Sequence, residues 1–177
     1  PITSPDDSRD GLIGRARAIA GVLEASALES EQARTLCPAA IEAFSSSGLW
    51  SLLAPREIGG LEADPVTQFE VMAEVSRADG SAGWCLAVGA ASIAMGAAFL
   101  GDEAVAEIFA APETIVAGQV VPRGRAEPVG GGFTVSGHWT FGSGCRHSDW
   151  LLGGCAVVTG PGGPPSARVA FLPRRKV

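Results

Sequence analysis

Apolar residues recur with helical spacing through the first 110 residues. The pattern is clear over residues 8–27 and resumes after Pro38 and after Asp64-Pro65, which predicts three amphipathic helices. Proline fits the first turn of a helix, and an aspartate directly before it can accept hydrogen bonds from the unpaired amides there. We therefore expect the second helix to run from Pro38 to Gly48 and the third to begin at Asp64.

The segment from Gly80 to Gly101 contains no charged residue and is long enough to cross a bilayer. Its flanks, Asp79 and Asp102-Glu103, provide no lysine or arginine that would orient a membrane span. We therefore predict a helix that is buried on all sides within a helical domain, and no membrane contact. A short last helix is expected over residues 102–111, closed by Pro112.

After Pro112 the period changes from that of a helix to that of a β-strand. Three consecutive glycines, Gly130 to Gly132, are predicted to form a hairpin turn, and a Gly/Pro cluster over 160–165 separates two later strands. Helices followed by strands predict an α+β chain, with a helical domain over 1–112 and a β-domain over 113–177. The predicted strands cover residues 115–121, 125–129, 133–141, 151–158 and 167–172.

The predicted strand over 133–141 ends in a small, flexible tip. Phe133, Val135, Trp139 and Phe141 alternate with polar residues, and Gly142-Ser143-Gly144 follow directly. One interpretation places the aromatic rings in a sheet core and the serine in a simple turn. The other is a binding site for a flat apolar ring, with the serine hydroxyl and the backbone amides on its polar edge.

Composition narrows the classes of partner. The formal charge is −6 and no basic stripe occurs, so nucleic acid is not expected as a main partner. Four cysteines without a CxxC pair, and no recognisable leader, predict free thiols in the cytoplasm and no metal site. His138 is expected to be solvated, and His147 to be satisfied by Asp149 or to take part in catalysis.

Several motifs resemble one enzyme family. Residues 53–60, Leu-Ala-Pro-Arg-Glu-Ile-Gly-Gly, are similar to a Pro-Glu-x-x-Gly-Gly link of acyl-CoA dehydrogenases. Residues 81–84, Ser-Ala-Gly-Trp, resemble those of one branch of that fold, the two-component flavin-dependent monooxygenases. The block from 131 to 144 and the His-Ser-Asp-Trp at 147–150 resemble the flavin strand of the same branch and are the most specific part of the likeness.

The resemblance implies a fold and an assembly. Its members have an N-terminal helical domain, an antiparallel β-barrel-like middle domain and a C-terminal four-helix bundle. The present chain would stop with the middle domain half built, so we expect a truncated chain without the bundle. The resemblance further implies a homotetramer when the chain is full length, and a separate flavin reductase as partner.

The resemblance also implies residue roles. Ser143 is expected to be catalytic through a hydrogen bond to the flavin ring, with FAD or FMN supplied in reduced form. Trp84 and Ser92 are expected to bind substrate, although Trp84 could equally pack within the helical domain. The residues expected to bind the cofactor are Gln119, Val120, Val121, Trp139, Phe141, Gly142, Ser143 and Gly144.

One departure from the family pattern concerns the substrate. Phenol-hydroxylating members have a histidine base about where Ser92 stands, and serine is a poor base at neutral pH. The sequence therefore favours the oxygenase component of a two-component monooxygenase acting on a small apolar or aromatic substrate that is activated without that histidine. Two alternatives stay open: an acyl-CoA dehydrogenase-like FAD enzyme, disfavoured by Phe141 where a threonine is typical, and a non-catalytic binding or assembly module.

Overall fold

The computed structural model describes residues 6–111, 113–157 and 166–177. It contains five α-helices and four β-strands in these ranges. They are α1 (Arg9–Ala33), α2 (Pro38–Ser47), α3 (Pro65–Ala78), α4 (Gly80–Phe99), α5 (Asp102–Ile108), β1 (Val116–Val129), β2 (Gly132–Ser136), β3 (Trp150–Val157) and β4 (Ser166–Pro173). The chain divides into two compact units, Pro1–Ile115 and Val116–Val177. The domain boundary after residue 112 stays a prediction.

The helix starts follow from capping residues that the sequence marks. The Asp64 carboxylate accepts hydrogen bonds from the Val66 and Thr67 amides, and the Asp79 carboxylate accepts one from the Ser81 amide. Pro38 and Pro65 occupy first helical positions, as predicted. The first helix runs six residues beyond its predicted end at residue 27, to Ala33, and the small residues Ser26 and Ser30 continue its buried face.

The core of the helical unit lies between α1, α2, α3 and α4. The rings of Phe44 and Trp50 pack at its centre with centroids 4.8 Å apart. Leucines and valines of the same unit are also almost fully buried. These include Leu12, Leu23, Leu49, Leu52, Val71, Val75 and Leu86.

Helix α4 packs on one side only. Gly83 lies so close to Ser76 of α3 that a Cβ would overlap the serine side chain. The absence of a side chain at this position of α4 therefore allows α3 and α4 to pack closely. On the other side, Trp84 is 60% exposed and Phe99 is 84% exposed. The prediction of a helix buried on all sides is therefore wrong, because the face that carries Trp84 and Phe99 is exposed in the described structure. By length and composition α4 could span a membrane, but 44% of its most apolar stretch is buried within the described structure.

The β unit is a four-stranded sheet with the order β2-β1-β3-β4. Strands β1 and β2 form the predicted hairpin, with Val129 paired to Gly132 and a positive φ of 84° at Gly131. Strand β1 runs parallel to β3, and β3 is antiparallel to β4. The predicted α+β class with an incomplete barrel-like sheet is confirmed, with one parallel pair that makes the sheet mixed.

The strand bounds differ from prediction at two places. The runs predicted at 115–121 and 125–129 form the single strand β1, which carries an irregularity between Gln119 and Gly124. The strand predicted over 133–141 ends at Ser136, so Trp139 and Phe141 lie outside it. Gly137 and a left-handed φ of 60° at Phe141 interrupt the extended backbone. The predicted turn at 160–165 and the helix end at Pro112 lie outside the described residues.

Ion pairs join α1 and α3 along their exposed edge. Arg9 pairs with Glu70, and Arg17 pairs with Glu74 with 2.8 Å between Nε and Oε1. The hydrogen bond from Arg17 holds the pKa of the Glu74 carboxyl below its ordinary value of 4.5, and Arg9 does the same for the pKa of Glu70. These contacts stabilise the helix pair at neutral pH, modestly because exposed pairs are screened by solvent.

We expect Glu74→Gln to reduce the pH dependence of stability. Because the pKa of Glu74 is lowered on folding, its stabilising contribution is present above its unfolded pKa and is lost as pH falls through its folded pKa. Thermal unfolding of the purified protein should give the variant a lower midpoint temperature than wild type at pH 7. Between pH 7 and pH 3 that midpoint temperature should fall less steeply for the variant. The control is Glu24→Gln, since Glu24 is exposed and has no ion pair within the described ranges. An equal effect of both substitutions would contradict a stabilising role of the Arg17–Glu74 ion pair.

Candidate functional site

The site begins where the β1–β3 ladder is interrupted. Gln119 pairs with Gly153 and Gly124 pairs with Cys155, so residues 120–123 of β1 stand opposite Gly154 alone. A Cβ on Gly154 would overlap the Val120 carbonyl. Only glycine therefore allows the two backbones to approach this closely at the break.

The indole ring of Trp139 covers the break. Its Nε1–H donates a hydrogen bond of 2.8 Å to the Gly154 carbonyl. A Cβ on Gly153 would lie 2.9 Å from indole Cε2, and one on Gly124 would overlap Cζ2. The half-buried ring thus lies directly on the backbone of both strands. We call Gly124, Gly153 and Gly154 the glycine saddle.

The turn that follows Trp139 packs beside Gln119. It is closed by hydrogen bonds from the Cys145 amide to the Gly142 carbonyl, 3.0 Å, and from the His147 amide to the Gly144 carbonyl, 3.1 Å. A Cβ on Gly144 would lie 3.3 Å from the Ala117 Cβ, and one on Gly142 would lie 4.0 Å from the Gly118 Cα. The structure therefore brings the predicted residues Gly142 to Gly144 against the part of β1 that carries Gln119.

Gln119 presents an acceptor without a protein partner. Its side-chain Oε1 is buried and accepts no hydrogen bond from the described residues. A buried polar atom left without a partner destabilises a fold by about 1–3 kcal/mol. Such an atom fits a ligand that carries an N–H group and binds beside Gln119.

Exposed apolar residues lie in the segments next to this acceptor. Val120 and Val121, in the irregular part of β1, are exposed, and the Phe141 ring is 91% exposed. Phe141 has a left-handed φ of 60°, a conformation that is strained for a bulky side chain and often marks a functional site. Together with the half-buried Ser143 of the turn, the site offers apolar contact and hydrogen-bonding groups side by side.

His147 lies under the same turn. Its Nε2 would be 3.4 Å from a Cβ on Gly144. Burial lowers the pKa of His147, and the charge of Arg174 lowers it further, so the imidazole is neutral at pH 7. Its pairing with Asp149 stays a prediction, whereas His138 is exposed, as predicted.

The two predicted substrate residues lie on α4 in the helical unit. Trp84 belongs to the open face of the helix, whereas Ser92 is only 8% exposed. The Ser92 hydroxyl donates a hydrogen bond of 2.7 Å to the Val88 carbonyl one turn earlier. Burial, and to a smaller extent Asp79, raises the pKa of Cys85 to about 11, so the only thiol of this helix is protonated at neutral pH. All four cysteines are free, as predicted.

Comparison with known proteins identifies the family. A sequence profile described as acyl-CoA dehydrogenase, N-terminal domain, matches residues 16–112, which is 97 of 177 residues. The chain belongs to the acyl-CoA dehydrogenase family. The resemblance inferred from its motifs is thereby confirmed.

Members of this family that resemble the chain are named as monooxygenases or hydroxylases. Indole-3-acetate monooxygenase of Pseudomonas putida is 36% identical over 82% of this chain and 37% of that protein. The oxygenase component of an FADH2-dependent resorcinol hydroxylase of Rhizobium sp. is 32% identical over 92% of this chain and 38% of that protein. XiaF from Streptomyces sp., solved with FADH2 and glycerol, superposes with a TM-score of 0.87 at 28% identity and covers 94% of this chain and 42% of that one. The chain thus spans about two fifths of the length of these family members.

Sequence reasoning missed the glycine saddle. The structure assigns Gly124, Gly153 and Gly154 to the support of Trp139, although none was among the predicted site residues. A signal was present in the pair Gly153-Gly154, because adjacent glycines inside an apolar strand often mark a bulge or a close backbone approach.

The close approach at Gly154 can be tested by adding a single methyl group. We expect Gly154→Ala to destabilise the β unit by about 1–3 kcal/mol, because the clash is with the Val120 backbone and not with a flexible side chain. Urea unfolding followed by far-UV circular dichroism measures the change. Gly130→Ala is the matched control, since a Cβ there meets no atom within 4 Å. Equal stability of the two variants would show that the strands do not approach as described.

Proposed function

We propose that this chain is part of the oxygenase component of a two-component flavin-dependent monooxygenase. The observation that supports this most is the convergence of Gln119, the exposed residues of β1 and the Gly142–Gly144 turn at the interrupted part of β1. The resemblance of the motifs implies the same residues as a flavin-binding set. The names of the similar proteins agree with this assignment.

The residues present fit a flavin ring. An isoalloxazine is flat and largely apolar, with N–H and carbonyl groups along one edge. Phe141, Val120 and Val121 provide apolar surface, and the buried Gln119 Oε1 can accept a hydrogen bond from a ring N–H. We further propose that the Ser143 hydroxyl and the amides of the turn donate to the ring nitrogen and carbonyl, with FAD or FMN as the cofactor.

The protein contributes orientation and exclusion of water, while the cofactor contributes redox chemistry. When bound, reduced flavin would supply the two electrons needed to split dioxygen, with one oxygen atom entering the substrate and the other leaving as water. Ser143 holds a hydrogen bond at the ring edge, a contact that is worth about 0.5–1.5 kcal/mol net. A separate reductase would deliver the reduced flavin, and we propose a cytoplasmic homotetramer for the complete protein.

The helical unit provides no base for the substrate from α4. The Ser92 hydroxyl already donates to a backbone carbonyl, and Cys85 remains protonated. A phenol needs a base to become a strong nucleophile, whereas an indole ring or a thioether does not. We therefore propose a small apolar or aromatic substrate that carries its own nucleophilic carbon, nitrogen or sulfur, with Trp84 and Ser92 among the residues that line its site.

Replacement of the buried acceptor separates ligand binding from folding. We expect Gln119→Met to raise the stability of the cofactor-free protein by about 1 kcal/mol, because it removes an unpartnered buried polar atom. The same variant should bind reduced flavin about tenfold more weakly, as the loss of one buried hydrogen bond requires. Anaerobic titration followed by flavin fluorescence, together with thermal unfolding, measures both quantities. Lower stability with unchanged flavin affinity would contradict this role.

Oxygen transfer can be followed directly. With a reductase, NADH and ¹⁸O₂, the complete protein should place one labelled oxygen atom in an indole or thioether substrate and should act on simple phenols far more slowly. Ser143→Ala should release a larger share of the reducing equivalents as hydrogen peroxide, whereas Ser136→Ala, in the exposed strand β2, should not. Oxidation of an acyl-CoA under anaerobic conditions, without oxygen incorporation, would instead support the dehydrogenase alternative.

A further inference from the structure

The resemblance implies that Trp139 contacts the flavin. In the structure, much of its side chain contacts the backbone of the β unit. The indole Nε1–H is engaged by the Gly154 carbonyl at 2.8 Å. Within β3, Gly153 and Cys155 have partners in β1, whereas Gly154 stands opposite the irregular part of that strand. The indole therefore supplies a hydrogen bond at the position where the regular ladder is interrupted.

The benzo ring of the indole needs positions that lack a side chain. A Cβ on Gly137 would lie 2.7 Å from Cη2, and one on Gly153 would lie 2.9 Å from Cζ2. On Gly124 a Cβ would overlap the ring. Three glycines from three parts of the β unit thus leave a recess that matches one edge of the indole.

The Gly142–Gly144 turn, which carries the proposed flavin contacts, begins close to Trp139 in the chain. Only Thr140 and Phe141 separate Trp139 from Gly142, and Phe141 adopts a left-handed backbone conformation. The turn then packs against Ala117 and Gly118, next to Gln119. An indole fixed on the glycine saddle therefore restricts where the turn can lie relative to Gln119.

The geometry points to Trp139 as a positioning residue that acts through the turn. Its hydrogen bond to Gly154 and its packing on the glycine saddle hold the turn that carries Ser143 against the part of β1 that carries Gln119. This inference rests on the proposed flavin function, and it assigns to the glycines of β1 and β3 a part in cofactor binding although they do not touch the cofactor.

The test disturbs the contacts of the indole in two ways, by crowding the ring and by removing its hydrogen-bond donor. Gly153→Ala places a methyl group against the ring, Trp139→Phe keeps an aromatic ring but removes the donor, and Gly132→Ala is the control because a Cβ there meets no atom within 4 Å. Cys145 lies in the turn and is exposed, whereas Cys37 and Cys155 are buried. A nitroxide on Cys145 of the complete protein, with other reactive cysteines replaced by serine, reports the mobility of the turn without any flavin present.

We expect a more mobile label in Gly153→Ala and Trp139→Phe than in wild type or Gly132→Ala. The two variants should also bind reduced FMN or FAD about 2- to 10-fold more weakly and should release more hydrogen peroxide at saturating flavin, as the loss of one hydrogen bond predicts. Trp139→Phe decides the question if Gly153→Ala fails to fold.

The failures are distinguishable. Unchanged label spectra in both variants would overturn the positioning role, even if wild type binds reduced flavin and transfers oxygen. Mobile labels with unchanged flavin affinity and peroxide release would show that the saddle holds the turn for folding alone, which also overturns it. If wild type binds no reduced flavin, the proposed function fails, while the label spectra still decide whether Trp139 holds the turn.

Discussion

The break in the pairing of β1 with β3 is the constraint on which the candidate site depends. The two parallel strands stay in register up to Gln119 and Gly153, and Gly154 then lets the Val120 carbonyl come too close for any side chain. A sheet interrupted in this way leaves backbone groups to be satisfied by other means. The indole of Trp139 provides one such bond, and the same departure from the ladder exposes two valines.

Several energetically unfavourable features are concentrated near this break between β1 and β3. Gln119 buries an acceptor without a protein partner, and Phe141 combines a left-handed backbone with an almost fully exposed ring. Each costs on the order of 1–3 kcal/mol. A bound ring with an N–H edge would satisfy the acceptor and cover the aromatic side chain, so these local costs are consistent with a ligand site and have no evident role in folding.

Local signals made much of the fold predictable. The cap Asp64, the proline starts and the glycine hairpin depend on residues a few positions apart and were predicted from the sequence, whereas the cap Asp79 was not. The backbone conformation of residues 137–141 was not predicted, because alternation alone indicates a strand. The packing of Trp139 depends on Gly124 and Gly153, which lie on β1 and β3. The site residues came from motif resemblance, and their convergence around Gln119 required the structure. The open face of α4 was missed because composition does not show which side of an apolar helix has a neighbour.

A crystal structure of the complete protein with reduced flavin, grown without oxygen, tests the central claim most directly. The account predicts an isoalloxazine at the interrupted part of β1, with a ring N–H donating to Gln119 Oε1, the Ser143 hydroxyl within hydrogen-bond distance of the ring, and Trp139 still bonded to Gly154. A flavin bound elsewhere, with Gln119 and the 142–144 turn remote from it, would contradict the account.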